Sequence, residues 1–241
     1  MGFLTKKIVH FIITASFLTG LAGWTMAQET ASSTPGAERI EKAIQAIKEL
    51  AELPAPEESF PPWLFQKSEG IAVFPGVIKA AYGIGGQYGR GILMIKNDKG
   101  NWSRPVFATL VGGSLGFQIG VQKTDIILVF KTRKSVENIA AGKLTLGADI
   151  SVAAGPVGRQ AEAATDLDME AEIYSYSKSK GLFAGVSIKG GSIQIDPDAN
   201  SAFYGRDSVT VLDIFSGRGL KTPEIVDRLR ETLEKYTKAA K

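Results

Sequence analysis

The chain has 241 residues, with 28 Lys and Arg against 25 Asp and Glu, a single histidine and no cysteine. Near-balanced charge lacks the basic stripe of a nucleic-acid binder, and without cysteine the fold rests on a packed core rather than disulfides. A chain of this length can bury one such core, so one domain is expected.

Residues 1–27 read as a secretory signal peptide. Lys6 and Lys7 form its positive start, Ile8 to Leu21 its apolar stretch, and Thr25-Met26-Ala27 a small-residue ending before Gln28. Export to the periplasm or the medium, after cleavage near Ala27, is expected. The alternative is a retained anchor, against which His10 and several Thr, Ser and Gly weigh. Lipoprotein processing needs a cysteine at the cleavage point, and there is none. Removing Lys6 and Lys7 lowers the formal charge from +3 to +1. The only histidine leaves with them, so no Ser–His–Asp or Cys–His pair and no histidine-bearing zinc site can form. Neither an enzyme nor a cofactor, metal or small-molecule substrate is expected.

Residues 28–36 (QETASSTPG) form a polar, breaker-rich linker expected to be disordered, and residues 37–241 form the domain. A helix is predicted to start at Thr34 or Pro35, with Thr34 as N-cap and Pro35 in the first turn, and to run to Glu52. Ile40, Ala43, Ile44, Ile47 and Leu50 recur along it at helical spacing, before Pro54 and Pro56 stop it. Of 27 glycines, 21 fall within residues 70–205, a density that argues for strands over helices there. Ile92–Lys96 and Trp102–Val111 are apolar runs joined by Asn97-Asp98-Lys99-Gly100, a hairpin signature. Asp125–Lys131 reads as a buried strand and residues 132–140 as a short bridging helix. Glu170–Ser177 is expected to turn at 178–181 and return as Leu182–Lys189, setting Tyr174 opposite Gly185 and Tyr176 opposite Phe183. Gly190-Gly191 then makes a second tight turn into Ser192–Asp196. A final helix follows Thr222-Pro223, its stripe being Ile225, Val226, Leu229, Leu233 and Tyr236. The expected class is α+β: a glycine-rich antiparallel sheet or partly closed barrel covered by amphipathic helices from both ends.

Several patterns invite a chemical reading. GIGGQYGRG resembles a phosphate loop, but no Gly-Lys-Ser/Thr opens a helix after it, and glycines that admit close backbone approach are preferred. Gly112, Gly116 and Gly120 sit four apart as in membrane helix pairs, yet polar Gln118, Gln122 and Lys123 favour a strand. Asp166, Asp168, Glu170 and Glu172 alternate with apolar residues, giving a cation site or a solvated face. Asp196, Asp198, Asn200 and Asp207 fall at calcium-loop positions, but Ser201 stands where that loop needs glycine, so an Asx turn is preferred. Basic residues gather at the hairpin tip (Lys178, Lys180), at a strand end (Lys131, Arg133, Lys134) and after a turn (Arg159).

In order, GIAVFPG (70–76), GIGGQYGRGI (83–92), GNWSRPVF (100–107), GGSLGFQIGVQKTDIIL (112–128), LTLGADISVAAGPVGR (144–159), YSYSKSKGLFAGVSIKG (174–190) and FYGRD (203–207) resemble a SYLF domain. The resemblance implies a non-enzymatic module that binds phosphoinositide-like or other anionic phospholipid head groups at a membrane surface. Lipid contact would then fall to Lys178, Lys180, Arg159, Lys131, Arg133 and Lys134, backed by Ile40, Ile44 and Ile47 of the first helix. Packing of that stripe on the sheet is the competing reading, because the helix's charges nearly cancel. The alternative function is a protein-interaction or scaffold role, echoing the actin binding attributed to eukaryotic members.

Overall fold

The computed structural model describes residues 34–52, 61–82, 84–115, 120–140, 143–157, 170–179, 182–185, 188 and 190–238. Helix α1 spans Pro35–Ala51, with the Thr34 hydroxyl accepting the Ala37 N–H and Pro35 in the first turn. Helix α2 (Pro62–Lys67) leads into four long strands: β1 (Gly70–Tyr82), β2 (Ile84–Ile95), β3 (Val106–Leu115) and β4 (Gly120–Phe130). After α3 (Arg133–Ala140) come β5 (Lys143–Thr145), β6 (Val152–Ala154), β7 (Ile173–Ser179), β8 (Leu182–Gly185) and β9 (Gly191–Ile195). The chain closes with α4 (Pro197–Tyr204), α5 (Val211–Ser216) and α6 (Glu224–Lys238).

The strands form one sheet in the order β5-β9-β3-β2-β1-β4-β7-β6, with β8 paired to β7. All pairings are antiparallel except β6 with β7, so the α+β expectation holds with a mixed sheet. The sheet must curl. Thr145 and Val152 end and begin the two edge strands β5 and β6. Seven residues span at most ~25 Å, whereas eight strands laid flat at ~4.8 Å would hold their edges ~34 Å apart.

The family-like motifs are read by the strands. Between Val73 and Ile78 the register of β1 slips against β2, and Gly76 lies at φ 63°. The freed Gly76 N–H donates to Asp125 Oδ1 at 2.7 Å. Opposite this bulge a side chain on Gly91 would sit 2.2 Å from the Val73 carbonyl, and one on Gly89 2.6 Å from Val77. Glycine therefore stands there because the bulged strand passes too close for a Cβ. Residues 84–91 of GIGGQYGRG belong to β2, and Gly112 and Gly120 to β3 and β4, which rules out the phosphate-loop and membrane-helix readings.

One face of the sheet is covered by α1, whose Ile40, Ala43, Ile44, Ile47 and Leu50 are buried, and by α4. Helix α6 packs beside α1 through Val226, Leu229 and Leu233, while Ile225 of its expected stripe is only partly buried. Helix α3 meets the opposite face, with Val136 against Gly70. Among the described residues four ion pairs fasten α1: Arg39 to Asp196 at 3.2 Å, Arg228 to Glu41 at 3.1 Å, Lys235 to Glu52 at 3.0 Å, and Lys178 to Glu49.

Two expectations are corrected. The β7–β8 register is shifted by two residues, so Tyr176, not Tyr174, lies opposite Gly185. A shorter connection than 178–181 joins the strands, and a shift of two keeps every side chain on its face. Gly190 has the expected positive φ of 83°, yet β9 does not continue the meander. It crosses to the far side of the sheet, between β3 and β5.

Candidate interaction surface

Direct cross-strand neighbours share a sheet face. Ile78, Tyr88 and Val111 are such neighbours on β1, β2 and β3, on the face that α1 covers farther along. These three lie beside α1 rather than beneath it and are 50%, 46% and 38% exposed. The next row adds exposed Ala80 and Val121, the latter 78% exposed. Scattered exposed apolar residues are ordinary, but a contiguous row on rigid strands marks an interaction site.

Cations ring the row. Lys123 is the cross-strand neighbour of Ile78, and Arg90 follows Tyr88 by one alternation. Arg90 Nε donates to the Tyr88 hydroxyl at 3.0 Å, and that bond raises the guanidinium pKa above its usual value. Lys42, on α1, is exposed and held 2.6 Å from Glu38. Arg39 lies over Phe107, 5.1 Å from the ring centroid, and is 12% exposed. Between α1 and the bulge these groups border an open depression of about 300 Å³, lined by Pro35, Glu38, Arg39, Lys42, Ile78, Tyr88 and Arg90. The arrangement offers apolar contact flanked by positive charge.

The residues expected to bind lie elsewhere. Ile40, Ile44 and Ile47 are 0%, 2% and 0% exposed, so in this fold the stripe is core and reaches no surface. Lys178 pairs with Glu49 of α1, and its hydrogen bond holds that carboxyl below the usual glutamate value. Lys131 follows β4, its N–H donating to the Glu172 carbonyl. Arg133 pairs with Asp98 and donates to the Lys96 carbonyl at 3.0 Å, bracing the β2–β3 hairpin. Lys134 is exposed. Lys131, Arg133 and Lys134 cluster beyond Phe130, at the opposite end of β4 from Lys123. Lys180 and Arg159 lie outside the described residues, as do Asp166 and Asp168. Sequence reasoning missed Tyr88, Arg90 and Lys123. The alternation Gln87-Tyr88-Gly89-Arg90 was the available signal.

The calcium frame is a helix start. Asp196 caps α4 by accepting the Ala199 N–H at 3.1 Å, and Pro197 opens the helix. Asn200 is buried: its Oδ1 accepts the Phe107 N–H, and its Nδ2 donates to the Phe107 and Asp196 carbonyls. FYGRD is likewise architectural. Phe203 packs edge-on against Phe107, the Tyr204 hydroxyl donates to the Pro105 carbonyl at 2.6 Å, and Gly205 ends α4 at φ 61°. Among the described residues no group of three acidic or histidine side chains could hold a metal ion. No described helix is long and apolar enough to cross a membrane.

Comparison with known proteins agrees with the motif reading. Residues 111–236 match the Ysc84 family, described as Las17-binding protein actin regulator. LAS seventeen-binding protein 3 of Saccharomyces cerevisiae is 37% identical over 199 residues, covering 79% of this chain and 43% of its own. SH3 domain-containing YSC84-like protein 1 is 33% identical over 202 residues in Xenopus laevis, covering 81% of this chain and 60% of the relative. Its Homo sapiens counterpart is 32% identical over 202 residues, with 83% and 58% covered. The chain thus spans roughly half the length of these relatives. With the ordered motifs, the matched region and these identities together, the chain belongs to the Ysc84 (SYLF) family.

Proposed function

We propose that the chain is a non-enzymatic protein-interaction module, and that Ile78, Tyr88 and Val111, rimmed by Arg90 and Lys123, are its binding surface. The carrying observation is the uncovered apolar row itself: three large side chains aligned on neighbouring strands, on a face otherwise packed under helices. An aromatic anchor beside an arginine is the composition in which binding energy concentrates. The names of the family and its relatives point to the actin system, so filamentous actin is the first partner to test. In co-sedimentation the wild type should pellet with filaments, and Tyr88→Asp should lower the bound fraction at least tenfold while remaining folded. A wild type that stays in the supernatant at saturating filament would remove the actin assignment.

A second reading is an anionic phospholipid surface, favoured by the exposed cations Lys42, Arg90 and Lys123 around the row. Each basic residue near such a surface contributes ~1 kcal/mol, screened within a Debye length. Flotation with phosphatidylserine vesicles separates the readings. Binding that collapses in Arg90→Glu at low salt, without filament binding, would favour the lipid. Export is also proposed, with Gln28 as the mature N-terminus; an exported chain meets an actin-type partner only after delivery to another cell. Intact mass of exported protein tests this, and a product retaining residues 1–27 would contradict it.

A further inference from the structure

On the opposite face of the same strands, Gln122, Lys79, Gln87, Gly112 and Gly191 are successive cross-strand neighbours on β4, β1, β2, β3 and β9. A lysine thus sits between two primary amides, and two glycines continue the row. The Gln87 side chain is buried and runs over those glycines: a Cβ on Gly112 would lie 2.9 Å from its Nε2, and one on Gly191 3.2 Å from it. The next row along the strands on this face is apolar and buried, with Val77 against Gly89 and Leu110 against Gly191. Neither the Lys79 ammonium nor the Gln87 amide has a hydrogen-bond or ion-pair partner among the described residues.

We infer that this row is a binding site for a carboxylate. Lys79 supplies the charge and the Gln87 amide, lying over Gly112 and Gly191, donates beside it. A half-buried ammonium and the amide of a largely buried glutamine, neither with a protein partner among the described residues, keep only a narrow contact with water, and a ligand oxygen would satisfy both. Burial lowers the Lys79 pKa, in keeping with a charge that lacks its counter-ion. One cation between neutral amides matches a monoanion better than a phosphate dianion, whose charge would go half unanswered. This site does not rest on the apolar row across the sheet.

The test is a titration of the full chain followed by NMR, reading the side-chain amide of Gln87. The probes are octanoate, a short peptide with a free C-terminal carboxylate, the same peptide amidated, and inorganic phosphate. Saturable shifts with octanoate or with the free-acid peptide support the site and tell a fatty carboxylate from a peptide terminus. Lys79→Met should weaken that binding at least tenfold, and Lys79→Arg should restore part of it. Because the methionine removes an unpaired, half-buried charge, Lys79→Met should melt no lower than the wild type. Absence of saturable shifts with both carboxylates would overturn the inference. So would equal binding of phosphate or the amidated peptide, equal binding by Lys79→Met, or a Lys79→Met protein that melts markedly lower.

Discussion

Replacing Asn200 by Ala should cost about 3 kcal/mol, because its side chain clamps α4 to β3 through two bonds to Phe107 and makes a third to the Asp196 carbonyl at the helix cap. The Phe107 N–H loses its acceptor inside the core, and an unsatisfied buried donor costs about 1–3 kcal/mol. The Phe107 carbonyl is less affected, since the Asp196 N–H still donates to it at 3.0 Å. The two lost amide donations add about 1 kcal/mol in all once that rescue is counted. With a urea slope of about 2 kcal/mol per molar, the midpoint should fall by about 1.5 M at unchanged slope. Asn200→Asp separates this clamp from a calcium ligand. A calcium loop would bind more tightly with the added carboxylate, whereas the clamp loses both donors and buries a charge. The expected result is a destabilised Asn200→Asp protein that calcium does not rescue. An Asn200→Ala midpoint within 0.2 M of wild type, or rescue of Asn200→Asp by calcium, would refute the reasoning.

Three further outcomes follow from packing and titration. Ile44→Ala should destabilise by about 2–4 kcal/mol in urea, as for other fully buried aliphatics; a near-neutral result would mean α1 does not hold the sheet. Gly91→Ala should cost at least about 2 kcal/mol through overpacking, because its Cβ would lie 2.2 Å from the Val73 carbonyl; an unchanged melting temperature would remove the bulge account. On the acid side, Glu49 is held below its ordinary 4.5 by Lys178, so its contribution is present above that value and lost as pH falls through the folded value. On the alkaline side, burial keeps Tyr176 and Tyr204 protonated well above the ordinary 10.0. The unfolded chain releases those protons first, so stability should fall as pH rises past 10, and Tyr204→Phe should flatten part of that fall in thermal melts.

Local pattern carried much of this fold. The stripes Ile40–Leu50 and Val226–Tyr236 have helical spacing because each helix buries one face, and Thr34-Pro35 marks where the first begins. The hairpin across Asn97–Gly100 was legible for the same local reason, Gly100 taking φ 77°. Long-range pairing was not. Nothing within residues 190–196 says that β9 leaves its neighbour β8 and inserts between β3 and β5. Helix α4 was obscured because Asp196-Pro197 serves equally as an Asx turn and as a helix cap. The interaction surface was hidden by its own composition. Nothing in the local pattern sets Ile78, Tyr88 and Val111 apart from buried strand residues, and only their place beside α1, not beneath it, leaves them uncovered. Conversely, the isoleucines of α1 could be read either as core or as a membrane face, because an amphipathic stripe does not reveal which apolar partner covers it.

The most direct measurement of the central claim is co-sedimentation of the chain with purified filamentous actin, comparing wild type, Tyr88→Asp and Lys134→Ala, with phosphatidylserine vesicles in parallel. Lys134 is exposed beyond the opposite end of β4, so its loss should leave filament binding unchanged. The account predicts saturable pelleting of wild type and Lys134→Ala, and at least a tenfold loss for a folded Tyr88→Asp. Pelleting that is equal in all three proteins, or that disappears in Lys134→Ala and persists in Tyr88→Asp, would contradict it.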